Sequence, residues 1–365
     1  MARLLTEADV ARLLPTAVTE VRASRRPAMT RWRSAGGGLA VALLIGAGLA
    51  VVRAVASAGG VGPGGLPAVR GRIVEYDVPS PRYPHDPAAA PDGSVWITET
   101  AADKLARFDP ASKTWTEFAL RPATRPHGLA VDAEGHVWFT ANGAGYVGRL
   151  DGRTGRITEY AAPSGGDPHT LVVAPDGTVW FTKQVANQVG RIDPRSGEVR
   201  EFTAPSPRAR PYGLALDRAG RVWFCEFGRA HLGRLDPRTG AIEEIPTPTP
   251  ESRPRRMASA PDGAIWFTEY EADRLGRLDP AGGRIEEWPM PSRPSGPTAV
   301  GVDATGRVWV SELAADTITT FEPKTARFRV LRLPRANVGV RTLTLDPRGR
   351  LWYLGSHSGK LGAIE

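Results

Sequence analysis

Cysteine is nearly absent from this chain: Cys225 stands alone in 365 residues. A single thiol excludes an intrachain disulfide, and with no partner motif it reads as a buried, inert side chain. A nucleophile elbow, a phosphate loop, a CxxC pair and a haem attachment motif are missing as well. The basic footprint of a nucleic-acid binder is also lacking over most of the length. Formal net charge is +8, from 47 basic and 39 acidic residues. Residues 1–71 hold 9 arginines and 3 acids, which leaves 38 basic and 36 acidic residues for the remainder. A folded part so close to neutrality argues against nucleic acid as a partner.

Long apolar runs are scarce, with one exception. Residues 36–52, GGGLAVALLIGAGLAVV, carry no charge. At 1.5 Å per residue they give about 25 Å of helix, and residues 54–60 extend the apolar stretch toward the ~30 Å of a hydrocarbon core. Arg22, Arg25, Arg26, Arg31 and Arg33 precede the run, and little charge follows until Arg70. That asymmetry puts the N-terminus in the cytoplasm and everything after Gly60 outside. The expected layout is a basic tail over 1–35, a single-pass transmembrane anchor over 36–57, a Gly/Pro linker over 58–71 and a folded domain over 72–365. The long charged tail argues for an uncleaved anchor in the cell membrane. The alternative is a secreted protein, cut at the signal-like Ala56-Ser57-Ala58. Residues 4–22 read as a short helix broken at Pro15.

The sequence is rich in repeats. DGSVWITE returns as EGHVWFTA, DGTVWFTK, AGRVWFCE, DGAIWFTE, TGRVWVSE and RGRLWYLG. The tryptophans are Trp96, Trp138, Trp180, Trp223, Trp266, Trp309 and Trp352, each with a glycine three residues earlier. A period near 43 with short alternating apolar runs is the size of a four-stranded propeller blade. In the third unit, Leu171–Ala174, Val179–Thr182, Val189–Ile192 and Val199–Phe202 read as four strands, with Asp176-Gly177 as the first hairpin turn. The seventh unit stops after its third strand, whereas an orphan fourth-strand segment, RIVEYDVP, stands at 72–79. The expected fold is therefore an all-β, seven-bladed β-propeller whose residues 72–79 complete the last blade. Closure removes exposed edges, so residues 72–365 on their own are expected to be soluble and monomeric.

Two positions of the repeat are chemically selected. Eleven residues before each tryptophan stand His85, His127, His169, Tyr212, Arg255, Thr298 and Arg341. Three residues after it stand Glu99, Ala141, Lys183, Glu226, Glu269, Glu312 and Gly355. About the Asp-Gly turn these positions are mirror images, which predicts that they meet at one mouth of the central channel. Three of the six histidines share one register on successive blades, so a ligand or catalytic site is expected there.

The repeats resemble the virginiamycin B lyases over residues 72–365. The resemblance rests on Pro126-His-Gly-Leu-Ala-Val, Val137-Trp-Phe-Thr and Asn187-Gln-Val-Gly-Arg-Ile. It implies a carbon–oxygen lyase that opens the lactone ring of streptogramin B antibiotics by Mg-dependent elimination without water, an antibiotic-resistance activity. Arg125-Pro126-His127 resembles the family's Arg-Pro-His, and Asp167-Pro168-His169 its Glu-Pro-His. The resemblance thus implies His169 as base, His127 as a substrate contact and Asp167 as a Mg2+ ligand. Lys183 and Gln184 stand where the family has a second metal-binding Glu. Glu99 or Glu226 is then a substitute ligand, with His85, Tyr212 and Arg255 as further substrate contacts. Two other readings of the mouth remain. Three histidines on adjacent strands suit a transition metal better than Mg2+. An anchored propeller binding a small molecule or peptide without chemistry is the third.

Overall fold

The computed structural model describes residues 71–365. The basic tail, the anchor expected over 36–57 and residues 58–70 of the linker lie outside the described residues. Among the described residues no helix is long and apolar enough to cross a membrane. The only helical turn among them is a 3-10 segment, Thr100–Ala102.

Seven antiparallel four-stranded sheets make up the domain. Their innermost strands, blades 1 to 7 in order, are Pro84–Ala89, Pro126–Val131, Pro168–Val173, Pro211–Leu216, Pro254–Ser259, Pro297–Val302 and Val340–Leu345. Each packs against the innermost strands of its two neighbours, so the ring is continuous. Blade 3 continues outward through Val179–Lys183, Gln188–Ile192 and Val199–Thr203, close to the strands read from the sequence. The innermost strand begins earlier than expected, at Pro168 rather than Leu171. The glycine before each tryptophan has positive φ, 87° at Gly177, which the tight first hairpin needs.

Closure follows the expected route. Ile73–Asp77 pairs antiparallel with Lys360–Ile364 and supplies the outermost strand of blade 7. Tyr76 on that strand packs against Phe108 of blade 1 and Trp352 of blade 7. The core consists of seven apolar layers between adjacent blades. Trp96 of blade 1, for example, packs with Val137 and Phe139 of blade 2, and Trp352 of blade 7 packs with Val95 and Phe108 of blade 1. Burying these large rings between blades supplies the main driving force for closing the ring.

One irregularity recurs in every blade and positions the site. The pairing of the first two strands slips by one residue near its start: Pro168 faces Lys183, but Leu171 faces Phe181. This β-bulge takes an amide and a carbonyl out of the ladder. In blades 1, 2, 3 and 5 a threonine two residues after the tryptophan satisfies both. Thr140 Oγ1 accepts from the Gly128 amide (2.7 Å) and donates to the His169 carbonyl of the next blade (2.8 Å). Thr98 does the same between Asp86 and His127, Thr182 between Thr170 and Tyr212, and Thr268 between Arg256 and Thr298. Blade-to-blade hydrogen bonds thus fix the backbone of the residues that face the channel.

Candidate functional site

At the bulge, consecutive residues near the start of an innermost strand, His85-Asp86 of blade 1 and Arg255-Arg256 of blade 5, reach side chains of other blades. The first of these two positions carries a column of rings. His85 and His127 have ring centroids 3.8 Å apart, His127 and His169 4.0 Å, and His169 and Tyr212 4.2 Å. Gly128, next to His127, permits the approach, because a Cβ there would strike the His169 carbonyl. His85, His169 and Tyr212 are buried and His127 nearly so.

The second of the paired residues contribute Asp86, whose importance the sequence reading missed. Asp86 accepts from His85 Nδ1 at 2.7 Å, from Thr342 Oγ1 of blade 7 at 2.6 Å and from Arg256 Nη2 of blade 5 at 3.3 and 3.4 Å. Arg256 therefore spans the channel. The available signal was charge: at this register the other blades carry Gly128, Thr170, Gly213, Ala299 and Thr342, and only Asp86 and Arg256 are ionised.

Burial opposes ionisation of Asp86, but Arg256, His85 and Thr342 outweigh it and hold its carboxyl well below the usual range. Burial lowers His85, with the Asp86 carboxylate working against the shift. His127 and His169 lie well below the ordinary imidazole value, through burial first and then neighbouring charge. All three rings are neutral at pH 7. The His127 Nδ1–H points at the His169 carbonyl, 3.2 Å away, and the His85 Nδ1–H at Asp86. In both rings Nε2 keeps its lone pair.

The expected meeting of the two registers is corrected by the bulge. The residue three after the tryptophan faces the proline before the site residue, as in Pro84–Glu99 and Pro211–Glu226. Its side chain runs toward the outer strands. Glu99 accepts from the Ser80 amide at 2.9 Å and lies beside Glu117. Glu226 lies beside Glu244 and 3.9 Å from Arg229. Burial first, and then Glu117 and Glu244, push Glu99 up to about 7 and Glu226 up to about 8, against the Ser80 amide and Arg229. Neither carboxyl hydrogen-bonds a site histidine. Lys183, fully buried, points the same way and binds Glu201 (2.7 Å), Ser164 (2.6 Å) and Gln188 (2.8 Å). Asp167 spends its carboxylate on the amides of Val185 (2.8 Å) and Ala186 (3.1 Å).

These placements bear on the metal. A hard cation such as Mg2+ needs several free oxygen donors. At blade 3, Asp167 is committed to amides and an ammonium replaces the second carboxylate, so the residues present do not fit it. Asp86 with His85 and His127 could offer one oxygen and two nitrogens within 4.8 Å, a soft-leaning set. Arg256 already neutralises that oxygen. The other such cluster among the described residues, Asp132, Glu134 and His136, sits by the first turn of blade 2, where Asp132 accepts the Trp138 indole N–H. Cys225 is buried at the threonine position of blade 4, and burial raises its thiol well above the ordinary value, so it is inert.

A closed ring of seven four-stranded blades, with imidazoles and arginines gathered on its inner wall, defines a seven-bladed β-propeller. The virginiamycin B lyase family model matches residues 59–312 and 230–365. The chain belongs to the virginiamycin B lyase family. Among solved structures, a streptogramin B lyase superposes with TM-score 0.76 at 27% identity, covering 80% of this chain and 97% of that one. The virginiamycin B lyase from Staphylococcus aureus gives 0.75 at 26%, covering 80% and 99%. A catalytically inactive variant of that enzyme with quinupristin gives the same values. Comparison with curated proteins found no match.

Proposed function

We propose that the protein is a carbon–oxygen lyase that opens the lactone or ester of a cyclic depsipeptide by elimination. The observation that carries this reading is the column of neutral imidazoles on three successive blades of a propeller of this family. In the step, an imidazole Nε2 takes the proton from the carbon next to the one bearing the ester oxygen. The C–H pair becomes the C=C bond, the C–O bond breaks, and its pair leaves on a carboxylate. No water is consumed.

The family motif puts the base at His169. The geometry favours His85, because Asp86 fixes its tautomer and supports its basicity. His127 and Tyr212 then serve as the walls against which the substrate is held. No step is assigned to a divalent cation. With residues 36–57 as an anchor, the reaction would take place outside the cytoplasmic membrane.

The test is turnover of a streptogramin B by wild type, His85→Ala and His169→Ala. Loss of the general base should lower the rate ~10²-fold or more. A large loss in His169→Ala with His85→Ala unaffected would return the base to His169. The commitment of Asp167 and Lys183 to structural partners favours a second reading, a propeller that binds a related ligand without converting it. Absence of turnover in a folded protein that binds the depsipeptide would support it.

A further inference from the structure

Three guanidinium groups converge on the same end of the ring, and one carboxylate answers them. Arg255 and Arg256 follow each other in blade 5 and are each more than nine-tenths buried. Arg341 holds the matching place in blade 7 and is half-buried. All three act on the Tyr212 phenol: burial raises it, but the three cations together bring it below its ordinary value. Asp86 is committed to Arg256.

Among the described residues, Arg255 has no carboxylate within salt-bridge reach. It donates to Tyr212 Oη at 3.1 Å and lies against the rings of Tyr212, Phe227 and Tyr270 at 5.2, 5.8 and 4.9 Å. The phenols of Tyr212, Tyr270 and Tyr83 lie around it. Arg341 stacks on Tyr83 at 5.6 Å. The Nε atoms of Arg255, Arg256 and Arg341 are all buried and unpartnered. The neutral histidines add no charge of either sign. A desolvated cation without a counter-charge is costly, and native proteins pair it. With Asp86 spent on Arg256, no carboxylate among the described residues pairs with the buried Arg255 or with Arg341, and both can meet the charge of an anionic ligand.

We propose that Arg255 and Arg341, with Tyr212 of blade 4, form a subsite for the carboxylate of an organic ligand. The planar guanidinium fork matches a carboxylate. The Tyr83, Phe227 and Tyr270 rings give a flat apolar wall for the body that carries it. Within the elimination reading, on which this role rests, the subsite receives the carboxylate released when the C–O bond breaks. Stabilising charge that develops at that oxygen is work a metal ion would otherwise do.

The test is isothermal titration of the full chain with benzoate, with benzamide and inorganic phosphate as comparators at fixed ionic strength. Benzoate should bind at one site, with affinity falling as salt rises. Benzamide should bind about tenfold more weakly, as should benzoate to Arg255→Gln and Arg341→Gln, the usual scale for a charge-assisted hydrogen bond. Arg341 is the safer variant because it is only half-buried. Absence of benzoate binding to wild type, or unchanged binding to a folded Arg341→Gln, overturns the subsite. Phosphate binding as tight as benzoate, with the same arginine dependence, overturns the assignment to carboxylate. Benzoate binding without depsipeptide turnover would count against the lyase reading alone. Turnover indifferent to Arg255 and Arg341 would count against the subsite alone.

Discussion

Replacing Asp86 with alanine removes one carboxylate and strands three partners. Arg256 loses its only anion among the described residues, His85 loses the acceptor for Nδ1–H, and Thr342 loses its hydrogen bond across the blade 7–blade 1 seam. Asp86 is 3% and Arg256 8% exposed, so water cannot take over. Breaking a buried ion pair from one side costs about 3–5 kcal/mol, mostly because the surviving charge stays buried. Asp86→Ala should lose that amount in equilibrium denaturant unfolding at pH 7. Asp86→Ala with Arg256→Met should recover most of it, since an apolar replacement of a whole buried pair is often neutral. The pH dependence follows from the depressed carboxyl. Its stabilisation is fully present above the unfolded carboxyl value, about 4, and is lost as pH falls toward the lower folded value. The gap between wild type and Asp86→Ala should therefore narrow below about pH 4. A loss under about 1 kcal/mol at pH 7, or a double variant as weak as the single, would refute the idea that this pair braces the channel.

Gly233 faces the ring of Phe224 so closely that a methyl there collides with it. Gly233→Ala should cost about 1–3 kcal/mol, and Phe224→Ile should restore much of it, because blade 1 already pairs Ala106 with Ile97; thermal melts of the single and double variants decide. Burial, and then Glu244, raise Glu226 to about 8, so its contribution is fully present below the unfolded carboxyl range and is lost as pH rises through about 8. Unfolding free energy should decline from pH 5 to 8, and Glu226→Gln should flatten that decline. The segment 72–365 should be soluble and monomeric, whereas removing residues 72–79 as well uncovers Lys360–Ile364 as an open edge and should lower the melting temperature sharply. Equal melting of the two would contradict closure by that strand.

The ring was legible because its signals are local and repeated. The tryptophan register, the positive-φ glycines and the orphan strand at 72–79 each follow from the sequence without knowledge of contacts. The histidine column was legible for the same reason. What could not be read was which side chains join it. Counting outward from the Asp-Gly turn assumes unbroken pairing, and one bulged residue sends Glu99, Glu226 and Lys183 outward while it turns Asp86 and Arg256 inward. The bulge did leave a trace: Thr98, Thr140, Thr182, Thr268 and Ser311 repeat a hydroxyl two residues after the tryptophan, where the bulge needs one. The Asp86–Arg256 pair joins residues 170 positions apart, and no periodic pattern announces a contact across the channel.

The elimination reading is tested most directly by the mass of the product. When the full chain is incubated with a streptogramin B, mass spectrometry should find a linear product with the mass of the substrate, and His85→Ala should slow its appearance ~10²-fold. A product heavier by one water would mean hydrolysis, and an unchanged substrate in the presence of folded protein would mean that the mouth of this ring binds but does not cut.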